Sequence, residues 1–233
     1  MTDSGEKQFA LPVRALPGTH ERVVNTALRY VPAGSVALDL GAGSGGLTER
    51  LLSAGFRVTA ADVGNAFALK TDFISLDCND PNFDRAVGSH FDLIASVEVI
   101  EHLENPTAFL RSIARLLKTN GVAILTTPNV ENVPARLKFL RRGEIRAMDK
   151  FAPEHVTPIH VDLFRRKIVP VTGLTLEEHF VHPENEFPLT ARSWMTPVFR
   201  LLMPLMKGPG LSGDCHFFVL RKNAEQQTRS AEK

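Results

Sequence analysis

The sequence contains little cysteine, and this limits the kinds of site that it can build. Only two of its 233 residues are cysteine, Cys78 and Cys215. A small disulfide-stabilised scaffold needs about four or more cysteines, and a structural zinc site takes most of its ligands from cysteine. Both classes are therefore excluded, and we expect a cytoplasmic protein.

Long apolar runs are also missing. No stretch approaches the roughly 18 consecutive apolar residues that predict a membrane-spanning helix. The segment that opens the sequence, MTDSGEKQFALPVR, contains two acidic residues and lacks the apolar core of a secretory signal. We expect neither a transmembrane segment nor a secretory leader.

Charge is nearly balanced over the whole sequence but not along it. The formal net charge is +1, from 27 basic and 26 acidic residues. Residues 136–167 contain nine basic residues against four acidic ones, a local charge of +5, and the remainder carries −4. A basic segment in a mildly acidic body can attract an anionic group, although solvated helix faces have the same composition.

Short apolar segments alternate with helical patterns along the chain. Five strands are predicted, over residues 36–40, 57–61, 73–76, 91–97 and 122–126. Helices are predicted over residues 19–31, 47–54 and 106–120, the first capped by Thr19 and the last by Asn105. Alternation at this spacing predicts a parallel sheet covered by helices on both faces.

A glycine cluster follows the first predicted strand. Gly41, Gly43 and Gly46 lie between that strand and the next helix, where a tight turn lets a ligand approach the backbone closely. Their spacing fits the G-x-G-x-x-G pattern of dinucleotide-binding turns. The spacing alone does not separate NAD from other adenosine-bearing ligands.

Three aspartates mark the ends of the first three strands. Asp39 precedes the glycine turn, and a carboxylate there would repel the pyrophosphate of NAD in a partly desolvated crevice. Asp62 can accept two hydrogen bonds from a ribose diol, and Asp77 can accept one from an adenine amino group. The three carboxylates favour a cationic adenosine ligand and disfavour an NAD-dependent oxidoreductase.

These residues resemble those of the class I S-adenosylmethionine-dependent methyltransferases, from about His20 to Lys222. The matching segments are Leu38 to Gly45 as the first motif, Asp62, Asp77-Cys78, Phe91 to Ser96, and Leu117 to Gly121. The resemblance implies S-adenosyl-L-methionine as cofactor. It assigns cofactor binding to Asp39, Gly41, Ala42, Gly43, Asp62, Val63, Asp77, Cys78 and Ser96.

The resemblance also implies an α/β fold. It predicts a Rossmann-like, seven-stranded, mostly parallel sheet with helices on both faces and an antiparallel last strand, and residues 174–181 and 215–221 are the candidates for the final two strands. We expect one methyltransferase domain over residues 19–222, a flexible arm over 1–18 and a disordered tail over 223–233. Residues 185–213 form a helical insertion, interpreted as a lid, a dimer contact or a membrane-surface helix.

Catalytic candidates follow the fourth strand. If this segment is helical, Glu98, Glu101 and His102 share one helix face, and His155 can join them. Two carboxylates and two imidazoles can bind a divalent ion such as Mg²⁺. The pattern resembles that of the ubiquinone-biosynthesis O-methyltransferases and the small-RNA 2′-O-methyltransferases, in which such an ion activates a hydroxyl.

Catalysis without an ion is the alternative. Glu-x-x-Glu-His also occurs in relatives that use no metal, and a neutral imidazole then serves as the general base. His155 or His160 would fill that role. The catalytic candidates are thus His155, His102 and Glu98.

The acceptor that we expect is a hydroxyl of a small molecule or glycan. Residues 127–143 and 155–160 are similar to methyltransferases of surface-polysaccharide biosynthesis, and the basic segment suits an anionic acceptor. The alternatives are RNA 2′-O-methylation, methylation of a quinone precursor, and a catalytically silent module that binds the cofactor. RNA is less favoured, because the sequence has one tyrosine and one tryptophan for base stacking.

Overall fold

The structure is a computed structural model, and it describes residues 11, 15–64, 66–88, 90–187 and 193–223. Most of the predicted arm, residues 1–10 and 12–14, lies outside the described residues, as do residues 224–233 of the predicted tail.

Among the described residues, seven strands form one sheet. They are β1 (Val36–Leu40), β2 (Arg57–Asp62), β3 (Phe73–Ser75), β4 (Phe91–Val97), β5 (Leu117–Pro128), β6 (Leu174–His182) and β7 (Cys215–Lys222). The strand order is β3-β2-β1-β4-β5-β7-β6. Strands β1 to β5 are parallel, and β7 runs antiparallel to both of its neighbours, β5 and β6. The predicted Rossmann-like sheet with an antiparallel last strand is confirmed.

In the part of the chain that the structure describes, seven helices and several short helical turns connect the strands. The helices are α1 (Thr19–Tyr30), α2 (Gly46–Ser53), α3 (Asp84–Val87), α4 (Pro106–Leu116), α5 (Val133–Arg142), α6 (Val161–Leu163) and α7 (Thr196–Leu202). The short turns cover Ile100–His102, Phe164–Ile168, Val169–Val171, Ser193–Met195 and Met203–Leu205. Within the described part of the chain, every helix is too short or too polar to cross a bilayer.

The start of α4 agrees with its sequence signal. The Asn105 side chain accepts a hydrogen bond from the backbone N–H of Ala108, and Pro106 takes the first helical position. Its predicted end is wrong, because α4 stops at Leu116 and Leu117 already pairs with Phe91 in the sheet.

The predicted cap of α1 is also wrong. Thr19 is the first residue inside the helix, and no side chain caps that helix end. The preceding Gly18 has a positive φ of 81° and turns the chain into the helix through its backbone conformation. The backbone therefore does what the sequence pattern attributes to the threonine hydroxyl.

Two apolar cores lie on opposite faces of the sheet. The side chains of β1 alternate between them, with Leu38 and Leu40 in one core and Ala37 in the other. Helix α4 covers the first core, and α1 and α2 cover the second. Because both faces are covered, the carboxyl ends of the parallel strands are the open edge where a ligand can bind.

A third, smaller apolar cluster joins α5 to α7. Its buried members are Val133, Phe187 and Phe199. The described part of the 185–213 segment therefore packs against α5, and its end at Gly210 and Gly213 also meets β7 and β6 of the sheet.

His216 is a buried titratable residue at the start of β7. It is fully buried, its Nδ1 lies 3.0 Å from Nε2 of His179, and its Nε2 lies 3.8 Å from Oε2 of Glu131. Burial, assisted by His179, lowers the pKa of His216 to about 3 against the opposing effect of Glu131. The imidazole is therefore neutral in the folded protein at neutral pH.

This predicts an acid-dependent contribution to stability. The pKa of His216 is about 6.5 in the unfolded chain and lower in the fold, so its contribution is complete above pH 6.5 and falls as the pH decreases. The free energy of unfolding of the wild type, measured by urea denaturation, should fall relative to that of His216→Gln by up to about 1.4 kcal/mol per pH unit below pH 6. A difference that stays constant from pH 7.5 to pH 5 would contradict a neutral, buried imidazole.

Candidate functional site

A cavity of about 520 Å³ opens at the carboxyl ends of β1, β2 and β4. Strand order reverses at β1, whose neighbours are β2 on one side and β4 on the other. Open α/β sheets bind their ligands at such a point. The cavity wall includes all the predicted cofactor-binding residues except Ser96, together with the catalytic candidates Glu98, His102 and His155.

The glycine turn between β1 and α2 forms one wall of the cavity. Gly41 and Gly43 have positive φ values of 87° and 55°. A Cβ atom on Gly41 would overlap Cγ2 of Val99, whereas a Cβ on Gly43 would meet no atom within 4 Å. Gly41 is therefore required by packing, and the space beside Gly43 is open for a ligand.

Asp39 is held inside this turn. Its carboxylate is buried and accepts a 2.6 Å hydrogen bond from the Thr48 hydroxyl of α2. Burial raises the pKa of Asp39 to about 7, and the nearby Asp62 acts in the same direction. A cation in the cavity would therefore stabilise the ionised form of Asp39.

Asp62 is fixed at the end of β2 by two backbone groups. Its Oδ2 accepts a 2.8 Å hydrogen bond from the N–H of Gly43, and its Oδ1 accepts a 2.7 Å hydrogen bond from that of Gly64. Each oxygen keeps a further lone pair for a ligand hydroxyl. The backbone thus pre-orients this carboxylate toward the cavity.

Asp77 and Cys78 follow β3 at the far end of the same wall. The backbone N–H of Asn79 donates a 2.8 Å hydrogen bond to Oδ1 of Asp77. Burial, reinforced by Asp77, raises the pKa of the Cys78 thiol to about 12. Cys78 is therefore an uncharged, weakly polar part of the wall.

Ser96 does not reach the cavity. Its hydroxyl is buried and donates a 2.9 Å hydrogen bond to the carbonyl of Leu40, which joins β4 to β1. Side chains along a strand alternate between the two faces of the sheet. The Ser96 hydroxyl bonds to the neighbouring strand, and Val97, Glu98 and Val99 line the cavity instead.

The predicted helix face that carries Glu98, Glu101 and His102 is wrong. Only a three-residue turn, Ile100–His102, is helical here, and Glu98 precedes it with a positive φ of 54°. Glu98 lines the cavity, whereas Glu101 is fully buried behind it. Of the two glutamates, Glu98 is therefore the one on the cavity wall, and its charge still acts on the Glu101 carboxyl.

Glu101, His102 and His155 nevertheless come together. One ligand atom from each lies within 4.8 Å of the others, and the two imidazole rings are perpendicular with centroids 4.6 Å apart. The Glu101 carbonyl accepts hydrogen bonds from the N–H groups of Val156 and Thr157, which ties the His155 loop to this turn. Glu98 is not a member of this group.

The protonation of the cluster follows from its contacts. Nδ1 of His102 lies 3.2 Å from the Glu154 carbonyl, and Nδ1 of His155 lies 2.7 Å from the Ala147 carbonyl. A carbonyl only accepts, so Nδ1 is the donor in each of these two contacts. Burial lowers the pKa of His102, with His155 acting in the same direction.

Glu101 is an unusual buried acid. Neither of its carboxylate oxygens has a hydrogen-bond partner within the described part of the chain. Burial, and secondarily Glu98, raises the pKa of Glu101 to about 8. An unpartnered carboxyl is costly to bury, and this cost marks the place where a cation or a proton is needed.

Two histidines differ from their sequence interpretation. His160, an alternative general base, is not on the cavity wall, and its Nδ1 instead lies 3.6 Å from Oε1 of Glu131. His20 of α1 is on the wall although no pattern predicts it, and its buried Nδ1 has no partner in the described residues. The one sequence feature that could have indicated the place of His20 on the wall is its position at the start of an amphipathic helix before the glycine turn.

The sheet order, the glycine turn after β1 and the aspartates that end β1, β2 and follow β3 define a Rossmann-like methyltransferase. The model of the methyltransferase domain family matches residues 14–178. The chain therefore belongs to this family.

Individual relatives agree with this assignment. The ubiquinone biosynthesis O-methyltransferase of Xanthomonas axonopodis pv. citri (strain 306) is 33% identical over 119 residues, which cover 46% of this chain and 49% of the relative. The chain thus spans about half the length of that curated relative.

Solved structures share the fold at low sequence identity. Magnesium protoporphyrin IX methyltransferase from Synechocystis PCC 6803, determined with bound SAH, has a TM-score of 0.56 at 17% identity and covers 88% of this chain and 82% of its own. A SAM dependent methyltransferase from Archaeoglobus fulgidus has a TM-score of 0.58 at 15% identity, with coverages of 88% and 95%.

The two glycines predict different effects of substitution. Gly41→Ala should lower the free energy of unfolding by about 2 kcal/mol or more, because its Cβ overlaps Val99, whereas Gly43→Ala should cost about 1 kcal/mol for its positive φ alone. Urea denaturation measures both values. Adding Val99→Ala to Gly41→Ala should recover part of the loss, and equal losses for the two single variants would contradict the assigned roles.

Proposed function

We propose that this protein transfers a methyl group from S-adenosyl-L-methionine to a hydroxyl group of a small molecule or glycan. The observation that carries the proposal is the set of three aspartates, Asp39, Asp62 and Asp77, around the glycine turn of one cavity. Because the curated relative is matched over about half its length, the activity of the whole protein is part of this proposal.

The donor half of the cavity suits a cationic sulfur nucleoside. The Asp62 carboxylate binds the ribose diol, and Asp77 beside Cys78 faces the adenine. The ammonium and sulfonium charges of the donor stabilise the ionised form of Asp39. They therefore lower its pKa from the value of about 7 that burial gives it. The open space at Gly43 admits the ligand close to the backbone.

The acceptor half lies at His102 and His155. The acceptor oxygen attacks the methyl carbon in line with the breaking S–CH₃ bond, which yields the methylated oxygen and S-adenosylhomocysteine. Without a bound ion, the hydroxyl proton passes to the imidazole of His155. Glu98, on the same wall, remains a candidate for a second proton acceptor or for orienting the acceptor.

The residues at Glu101 fit a divalent ion. A buried carboxylate whose oxygens have no hydrogen-bond partner among the described residues, next to one ring nitrogen each of His102 and His155, is a mixed oxygen and nitrogen donor set. A bound ion of the Mg²⁺ type would supply Lewis acidity, which lowers the pKa of an acceptor hydroxyl. Glu101, His102 and His155 would hold it, and Glu98 would join only if its side chain turned toward Glu101.

An oxygen acceptor is supported by the relatives and by charge. The curated relative is named an O-methyltransferase of ubiquinone biosynthesis, which makes a quinone precursor the second candidate acceptor. Arg141, Arg142 and Lys150 are exposed near the His155 loop and favour an anionic acceptor.

Donor binding tests the first half of the proposal. Isothermal titration calorimetry should show binding of S-adenosyl-L-methionine, and Asp62→Ala should weaken it by about 10- to 100-fold, because two charged hydrogen bonds to the ribose are lost. Asp72→Ala, at an exposed aspartate that does not line the cavity, is the matched control. Binding of NADH, without binding of S-adenosyl-L-methionine, would indicate an oxidoreductase and overturn the proposal.

Ion dependence tests the second half. Mg²⁺ or Mn²⁺ should raise the melting temperature of the wild type and of Glu104→Gln, an exposed neighbour, but not that of Glu101→Gln, because the buried carboxylate is a proposed ligand. Transfer of a labelled methyl group to a panel of catechols, glycosides and RNA identifies the acceptor. Transfer that survives exhaustive chelation would assign the chemistry to His155 without an ion.

A further inference from the structure

Three large apolar side chains project from one region beside the His155 loop. Phe139 and Leu140 of α5 are 58% and 84% exposed, and Phe151 in the following loop is 83% exposed. Isolated exposed apolar residues are ordinary on protein surfaces, but a group of them marks an interaction site. These three are therefore candidates for a docking surface.

Polar contacts bring the three side chains together. Nζ of Lys138, next to Phe139, forms an ion pair with Oδ2 of Asp149 and lies 3.4 Å from Oε2 of Glu144. The N–H of Phe151 donates a 2.9 Å hydrogen bond to the other oxygen of Asp149. The loop is thus folded back on α5, and Phe151 lies near the turn that carries Phe139 and Leu140.

The same region carries excess positive charge. Arg141, Arg142 and Lys150 are exposed, and none forms a salt bridge among the described residues, although the charge of Lys150 also acts on Asp149. Asp149 and Glu144 are already paired with Lys138, and Nζ of Lys150 lies 5.1 Å from the centre of the Phe151 ring. Exposed aromatic and aliphatic side chains flanked by free cations are the composition of surfaces that bind anionic membranes.

The surface also adjoins the acceptor end of the cavity. The carbonyl of Ala147, in the same loop, accepts the 2.7 Å hydrogen bond from Nδ1 of His155. His155 lines the cavity, and the following Val156 is also exposed. A ligand bound to this surface is therefore held next to the loop that carries His155, at the proposed acceptor end of the cavity.

We propose that residues 139–142 and 150–151 form a membrane-docking surface that binds an anionic lipid bilayer. Leu140 and Phe151 enter the boundary between headgroups and acyl chains, and Arg141, Arg142 and Lys150 contact lipid phosphates. The charge complementarity argues for a bilayer, since exposed cations flank the exposed apolar side chains. Docking would present acceptors that carry a lipid tail to the cavity, but the proposal does not depend on methyl transfer.

Vesicle flotation of the full chain tests this surface. The wild type should bind vesicles of phosphatidylcholine mixed with phosphatidylglycerol, should bind pure phosphatidylcholine far less, and should lose binding as salt increases. Leu140→Gln with Phe151→Gln should reduce binding by about tenfold or more, because two apolar side chains no longer enter the bilayer. Arg141→Gln with Arg142→Gln should reduce it by about tenfold through lost charge.

Matched controls lie away from α5, with Val171 near the start of β6 and Arg85 and Arg111 on α3 and α4. Val171→Gln removes an exposed apolar side chain, and Arg85→Gln with Arg111→Gln removes two exposed cations away from α5. These variants should bind as the wild type does. Melting temperatures of all variants separate loss of folding from loss of docking.

Three outcomes would overturn the proposal. If the wild type does not bind anionic vesicles, the protein has no such surface. If both double variants still bind, the binding surface lies elsewhere on the molecule. A monomer–dimer equilibrium that depends on Leu140 and Phe151, seen by analytical ultracentrifugation without vesicle binding, would assign the surface to a second copy of the chain.

Discussion

The hydrogen bond between the Thr48 hydroxyl and the buried Asp39 carboxylate is the contact around which the cavity is built. It joins the end of β1 to the first turn of α2 across the glycine turn. That turn positions Gly43, whose N–H in turn holds the carboxylate of Asp62 at the end of β2. The buried carboxyl of Asp39 thus orients two walls of the cavity. Burial raises its pKa, and a bound cation would lower it again.

A second set of contacts builds the other end of the cavity from residues far apart in sequence. The carbonyl of Glu101 accepts from two consecutive N–H groups of the His155 loop. The Glu154 carbonyl of that loop holds Nδ1 of His102 in return. These main-chain contacts fix the two imidazoles relative to the Glu101 carboxylate.

Much of the fold could be predicted because its signals are local. The strand ends at Leu40 and Val97 and the cap at Asn105 follow from short patterns, and Asp62 and Asp77 are at the predicted edge because parallel strands align their carboxyl ends. The rest depends on tertiary contacts. No local rule anticipates the positive φ of Glu98, and the roles of His20 and His216 depend on neighbours distant in sequence.

The position of β7 has a consequence for how the sheet is completed during synthesis. β6 has β7 as its sole neighbour, yet β7 is the last strand of the described chain to leave the ribosome. Until it arrives, β5 exposes one edge and β6 has no sheet to join, and unpaired edges invite pairing between nascent chains. This strand, eight residues long and the last among the described residues, therefore closes two gaps in a single step.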